Sequence, residues 1–331
     1  MKPRIVYMGT PEFAVAPLAK LVENNYNVVG VITVPDKPSG RGLKLNESDV
    51  KKYYNNSPLT KSAKLMQPLS LKEPEFITEL ESLNADLFIV VAFRMLPKVV
   101  WAMPKLGTFN LHGSLLPAYR GAAPINWAII NGEEKSGVTT FLIDEKIDTG
   151  NILLQRETPI GERENIGSLY GRLMAIGADL VIETVDALIN GITPKPQEGE
   201  IKDAPKLHKE RCKIIWERPT EEIDANISEA VKIDRFVRGL SPYPCATTTI
   251  SNGEKSFGVK VFDTLPIAAK GSKPSSEVGK IESDNKTYLH ITCADGSTVA
   301  ITELQLSGKR RVTIKEFLMG FREIEKYTTT Q

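Results

Sequence analysis

Residues 86–92, Asp-Leu-Phe-Ile-Val-Val-Ala, constrain the fold of this chain more than any other stretch. Six consecutive apolar residues leave no polar face, so a strand built from them must be buried on both sides. Runs at 5–8, 27–33, 108–111, 138–143 and 150–157 also read as strands, and they alternate with stretches of helical spacing at 17–24, 72–83 and 168–190. The last of these places Leu169, Leu173, Ile176 and Leu180 on one face. Apolar strands alternating with helices predict an α/β fold, a Rossmann-like and mostly parallel sheet covered on both faces, over residues 1–190.

The character then changes. Residues 191–204 carry Pro194 and Pro196 and little apolar content, which predicts a linker. From 205 to 331 a second, smaller domain is expected. Its first part, Thr220 to Leu240, is helical in spacing, with Ile223, Ile227 and Val231 on one side. Short β-prone runs follow at 246–250, 259–262, 288–292 and 299–306. Asn252-Gly253 and Asp295-Gly296 are hairpin turn signals. Strands of this length and spacing suggest a small β-barrel of the oligonucleotide-binding type.

Several function classes are excluded. The first strand runs into Gly9-Thr10-Pro11-Glu12-Phe13-Ala14, where proline and alanine replace glycines that a dinucleotide site needs. Neither a phosphate-binding G-x-x-x-x-G-K-[ST] loop nor a G-x-S-x-G elbow occurs. Cys212, Cys245 and Cys293 lie far apart, which argues against a zinc site and a disulfide framework; no metal is expected. The charged start is not followed by a long apolar segment, and no run of about 18 apolar residues exists. A cytoplasmic protein with no membrane partner, working as a monomer, is expected. The net charge of +1 predicts no bulk attraction to polyanions, so any nucleic acid must be held by local patches.

The chemistry concentrates between residues 107 and 150. Asn110 and His112 are two apart at a strand end, so their side chains share a face. Ser114, Leu115, Leu116 and Pro117 follow, then Arg120-Gly121-Ala122-Ala123-Pro124, then Asp148-Thr149-Gly150. Read singly, the histidine is more often structural and the aspartate a polar turn. Together the four ordered pieces resemble the folate-dependent formyltransferases. That resemblance implies a formyl group moved from 10-formyltetrahydrofolate to an amine, with Asn110, His112 and Asp148 as the catalytic trio. Asn110 would donate to the oxyanion, His112 would relay the proton, and Asp148 would orient the histidine. Ser114, Leu115, Leu116 and Pro117 would bind the folate, whose pteridine would reach 92–96 and 143–148. Two departures fall on that side. Val91 to Pro97 lacks the usual Tyr-Gly, and Lys146 stands where glycine is common.

Among these enzymes the start of the chain resembles the branch acting on methionyl-tRNA. So does the loop 35–45, whose Lys37, Arg41 and Lys44 would contact tRNA phosphates. The implied acceptor is the amine of charged initiator tRNA, serving translation initiation. A sugar-nucleotide amine is the nearest alternative, and a non-catalytic tRNA-binding protein is a third. From Ala204 onward 20 Lys+Arg stand against 17 Asp+Glu, so the second domain offers only a local basic cluster, Lys309-Arg310-Arg311 with Lys315.

Overall fold

A computed structural model of the chain describes residues 2–39, 44–60, 62–218, 226–267 and 275–330. Two compact units are present. One comprises Met1–Pro124, Lys135–Pro159 and Tyr170–Pro205; the other comprises Ile125–Glu134, Ile160–Leu169 and Lys206–Gln331.

In the first unit the strands are β1 (Arg4–Gly9), β2 (Asn27–Ile32), β3 (Lys37–Ser39), β4 (Lys44–Asn46), β5 (Lys64–Met66), β6 (Leu87–Val91), β7 (Thr108–His112), β8 (Ala118–Gly121), β9 (Lys135–Leu142), β10 (Ile152–Pro159) and β11 (Lys202–Ala204). Helices α1 (Val15–Glu23), α2 (Asp49–Asn56), α3 (Pro74–Ser82) and α4 (Lys98–Trp101) lie between them, while α5 (Pro124–Ile130) and α6 (Ile166–Ile189) contribute residues to both units. The main sheet runs β10-β9-β7-β6-β1-β2-β5. Its strands β5, β2, β1, β6 and β7 are parallel, and β9 and β10 add an antiparallel edge. This is the Rossmann-like sheet that the alternating pattern predicts. The run at 87–91 is its buried centre, with every residue of β6 inaccessible or nearly so.

The two faces of β6 separate its side chains. Phe88 and Val90 join Val6, Met8, Ile32, Phe76 and Leu80 in one apolar cluster. Each such side chain contributes roughly 1.5–3 kcal/mol on burial. The opposite face of β7 meets α6, where Gly177 leaves room for Leu111. Next to it the hydroxyls of Thr140 and Thr184 meet at 2.8 Å. The segment 191–204 lies in the first unit. Lys195 exchanges both backbone hydrogen bonds with Ile152, and β11 runs parallel to β8.

The second unit holds α7 (Glu229–Leu240), β12 (Ala246–Ser251), β13 (Ser256–Ile267), β14 (Ile281–Ser283), β15 (Leu289–Thr292), β16 (Thr298–Leu306), β17 (Val312–Thr313), α8 (Ile314–Gly320) and β18 (Thr328–Thr330). Its antiparallel sheet runs β14-β15-β16-β13-β12-β18. The Lys280–Thr328 bridge brings the two edges together into a nearly closed barrel, as the spacing of short strands suggests. The expected helix starts late. Ser228 caps α7 by accepting from the Val231 amide, so Ile227 precedes the helix; Thr220 and Ile223 lie outside the described residues. Asn252-Gly253 and Asp295-Gly296 form turns, with Gly253 and Gly296 at φ 88° and 77°.

On the surface of this unit the basic cluster is partly consumed by ion pairs. Arg311 pairs with Glu303 and lies 4.2 Å from the Phe262 ring, and Arg310 meets Glu316 at 3.3 Å. Lys309 and Lys315 remain exposed. The three thiols are buried and unbridged, and burial pushes Cys245 up to about 11 and Cys293 to about 12, which keeps them protonated and inert near neutral pH.

Candidate active site

The three residues expected to be catalytic lie on β7, which carries Asn110 and His112, and in the loop between β9 and β10, which carries Asp148. In the sheet, Asn110 sits beside Val90 of β6 and Phe141 of β9. Laterally paired residues point to the same face, so Asn110 and His112 extend the face that carries Phe88 and Val90. The His112 ring meets Phe141 edge-on, with centroids 6.5 Å apart. His112 ends β7, at the carboxyl edge where parallel sheets place their sites. Asp148 arrives differently. Leu142, the end of β9, lies opposite Phe109 near the amino end of β7. The loop from 143 to 151 therefore doubles back across the sheet face before it reaches His112.

His112 is held by a group that sequence reading missed. Its Nε2 lies 2.8 Å from the Tyr119 carbonyl oxygen. A carbonyl only accepts, so Nε2 carries a hydrogen, and in the neutral ring the lone pair is on Nδ1. Nδ1 faces Asp148 Oδ2 at 3.8 Å, an ion-pair distance and too long for a hydrogen bond. The orienting hydrogen bond is thus the one to Tyr119, and Asp148 supplies a negative charge beside the other nitrogen. The same Oδ2 accepts from the Gly121 amide at 2.9 Å. Both side chains are nearly buried, 8% exposed for His112 and 14% for Asp148, so charge developing there is weakly screened.

Asn110 is half-buried, and its amide has no hydrogen-bond partner among the described residues. This face of the sheet, which also carries Phe88, Val90 and Phe141, thus presents an amide without a partner among the described residues on the same side as the histidine. Such a donor is suited to an oxyanion that exists only during reaction.

The stretch from Ser114 to Pro117 is tied down by Thr139. Its hydroxyl donates to the Ser114 carbonyl at 2.7 Å and accepts from the Leu116 amide at 3.1 Å. Gln155 Nε2 also donates to the Leu116 carbonyl at 2.9 Å. Ser114, Leu116 and Pro117 are buried, and Leu115 is partly exposed. The Ser114 hydroxyl donates to the Ala118 carbonyl at 2.6 Å. A ligand along this stretch would meet backbone and Leu115 more than the serine hydroxyl.

The loop that carries Asp148 depends on two glycines. At Gly150 an added Cβ would stand 1.6 Å from the Leu142 carbonyl oxygen, and at Gly121 (φ 126°) it would stand 2.6 Å from that of Ala204. Backbone must move before either could accept a side chain. Gly150→Ala is expected to cost about 1–3 kcal/mol or more of stability and to carry Asp148 away from His112. A thermal-unfolding midpoint within a degree of wild type, with unchanged turnover, would show that the loop tolerates the displacement. Both departures from the usual pattern have local roles. Arg94 donates to the carbonyls of Leu69 (2.8 Å) and Pro68 and lies over Phe93. Lys146 is exposed, and its amide donates to Asp144.

Of the residues expected to meet nucleic acid, Lys37 is exposed in β3, which pairs with β4. Lys44 belongs to β4, and Arg41 lies outside the described residues. Among the described residues no group of acidic, histidine and cysteine side chains could hold a metal ion, and no helix is long and apolar enough to cross a membrane.

Residues 3–185 match the formyl transferase family, and residues 206–322 match the formyl transferase C-terminal domain. The chain is 50% identical to the methionyl-tRNA formyltransferase of Parabacteroides distasonis, with 98% of each chain covered. It is 47% identical to that of Bacteroides thetaiotaomicron, covering 98% of this chain and 97% of the relative. Among solved structures it is similar to Aquifex aeolicus HypX in complex with tetrahydrofolic acid. There the identity is 20% and the TM-score 0.58, over 97% of this chain and 48% of that one, so this chain spans about half of HypX.

Proposed function

Because this chain belongs to the formyl transferase family, we infer that it formylates the amine of methionyl-initiator tRNA, drawing the one-carbon group from a folate carrier. The near full-length similarity to methionyl-tRNA formyltransferases supports the acceptor. The donor in this reading is 10-formyltetrahydrofolate. The observation that carries the chemistry is the juxtaposition of an Asn110 amide, unpartnered among the described residues, with a histidine whose Nε2 is committed to Tyr119 and whose Nδ1 faces Asp148.

The residues divide the work as follows. The methionyl amine attacks the formyl carbon, a new N–C bond forms, and the carbonyl oxygen takes up negative charge. Asn110 donates its amide hydrogen to that oxygen. His112 removes the proton that the amine must lose, receiving it at Nδ1, where the ring's new positive charge meets Asp148 Oδ2. The tetrahedral intermediate then collapses with cleavage of the bond between the formyl carbon and the carrier nitrogen. His112 returns the proton to that nitrogen, so the carrier leaves neutral and no covalent enzyme intermediate is required. In this reading the folate lies along Ser114, Leu115, Leu116 and Pro117. Lys37, Arg41 and Lys44 approach the phosphates near the acceptor end of the tRNA. A charged tRNA substrate places the reaction in the cytoplasm, and a monomer suffices because one chain carries every residue assigned here.

The test is transfer of labelled formyl from 10-formyltetrahydrofolate to methionyl initiator tRNA, with uncharged tRNA and a sugar-nucleotide amine in parallel. Transfer to the charged tRNA alone is expected. Transfer to the small amine alone would keep the chemistry and overturn the acceptor.

A further inference from the structure

Gln197 lies in the proline-rich stretch between Pro196 and Glu198, both exposed, yet its own side chain turns inward. Its Nε2 donates to two carbonyls, those of Asp148 at 2.9 Å and Gly150 at 2.8 Å. Its Oε1 accepts from Arg120 through Nε at 3.1 Å and Nη2 at 2.7 Å. This pattern fixes the orientation of the amide. Turned over, it would set two donors against a guanidinium and an oxygen against two carbonyls.

The consequence falls on Asp148. Its backbone is left-handed, φ 55°, a conformation that costs a residue bearing a Cβ about 1–2 kcal/mol and persists only where surroundings over-determine it. Two bonds do so. The Gly121 amide holds the carboxylate, and Gln197 holds the backbone carbonyl of the same residue. Arg120, the neighbour of Gly121, holds Gln197 in turn. The circuit from Arg120 through Gln197 to Asp148 and back to Gly121 is closed. It is pinned from outside by the Ile152–Lys195 bridge and by the pairing of β11 with β8.

We propose that Gln197 is a positioning residue for formyl transfer, which sets Asp148 against His112 by gripping the backbone on both sides of Thr149. The proposal rests on the reading of His112 and Asp148 as catalytic groups.

Three variants test it, each assayed for kcat and for KM toward folate and toward charged tRNA, with the unfolding midpoint as a control. Gln197→Ala removes all four bonds. Gln197→Glu is isosteric and keeps the acceptors that face Arg120, but it sets oxygen against two carbonyls. Both are expected to lower kcat by on the order of 10- to 100-fold, with each KM within about threefold of wild type. The third comparison places Gln197→Ala in an Asp148→Ala background, where it should lower kcat by no more than about twofold, because a residue that acts through another has nothing left to act on. Retained kcat in Gln197→Glu would overturn the proposal, since only the contact with Arg120 would then matter. Full additivity with Asp148→Ala, or a loss confined to KM, would overturn it as well. If the unmodified protein transfers formyl to none of the amines, the reading of the function fails, and the proposal with it. A working wild type with unaffected variants refutes the proposal alone.

Discussion

Replacing His112 by alanine is expected to lower turnover by about 10²- to 10⁴-fold, the range for loss of a positioned general acid–base, while folate binding stays close to wild type. The ring's own contacts say why the two effects separate. Its polar contacts run to the Tyr119 carbonyl and toward Asp148, and its apolar edge faces Phe141. The stretch from Ser114 to Pro117 is fixed instead by Thr139 and Gln155, so it keeps its shape when the ring is removed. Equilibrium binding of a folate analogue and single-turnover formyl transfer would be measured on the same preparation. Turnover within about threefold of wild type would remove His112 from the proton transfer. A folate affinity that collapses together with turnover would show that the histidine builds the pocket instead.

Asn110→Ala is the second substitution with a large expected effect. Loss of one oxyanion donor costs on the order of 10²- to 10³-fold in kcat, roughly 2.7–4 kcal/mol. Here the ground-state effect should be small, because among the described residues the Asn110 amide has no partner whose loss would leave a buried group unsatisfied. A large fall in kcat with an unfolding midpoint near wild type is therefore expected. Asn110→Asp sharpens the test, since an ionised carboxylate cannot donate and would oppose the negative charge. An aspartate variant as active as wild type would show that the side chain does not serve the oxyanion. A midpoint that falls as steeply as kcat would assign Asn110 to the fold.

The sheet was legible in the sequence because its cause is local. A run of six apolar residues, short and rich in β-branched and aromatic side chains, reads as a strand covered on both sides, and β6 is that strand. Strand alternation likewise puts Asn110 and His112 on one face, whatever the rest of the chain does. The barrel was legible more coarsely, from turn residues and strand length. β13 extends from Ser256 to Ile267, well past the β-prone core at 259–262, because β12 and β16 pair with it on either side. Helix α7 starts later than its apolar spacing suggests, because Ser228 provides the cap and the Glu229 amide donates to the Asp295 carboxylate, 66 residues further on.

By itself the sequence determined the alternating α/β pattern of the first unit and the placement of Asn110 and His112 on one strand face; that position 150 must be glycine, because a Cβ there would strike the Leu142 carbonyl, is a fact of the tertiary structure. The first two follow from neighbours along the chain. Only the tertiary structure decided what surrounds the histidine. Whether Asp148 reaches His112 depends on a loop that doubles back over the sheet. The Tyr119 carbonyl that fixes the tautomer is backbone, which side-chain identity leaves unmarked. Gln197 stands 49 residues beyond Asp148, in a stretch whose composition reads as a linker. Contacts at such separations are selected by how loops close and which backbone groups remain to be hydrogen-bonded, and neither is written in the residues that flank them.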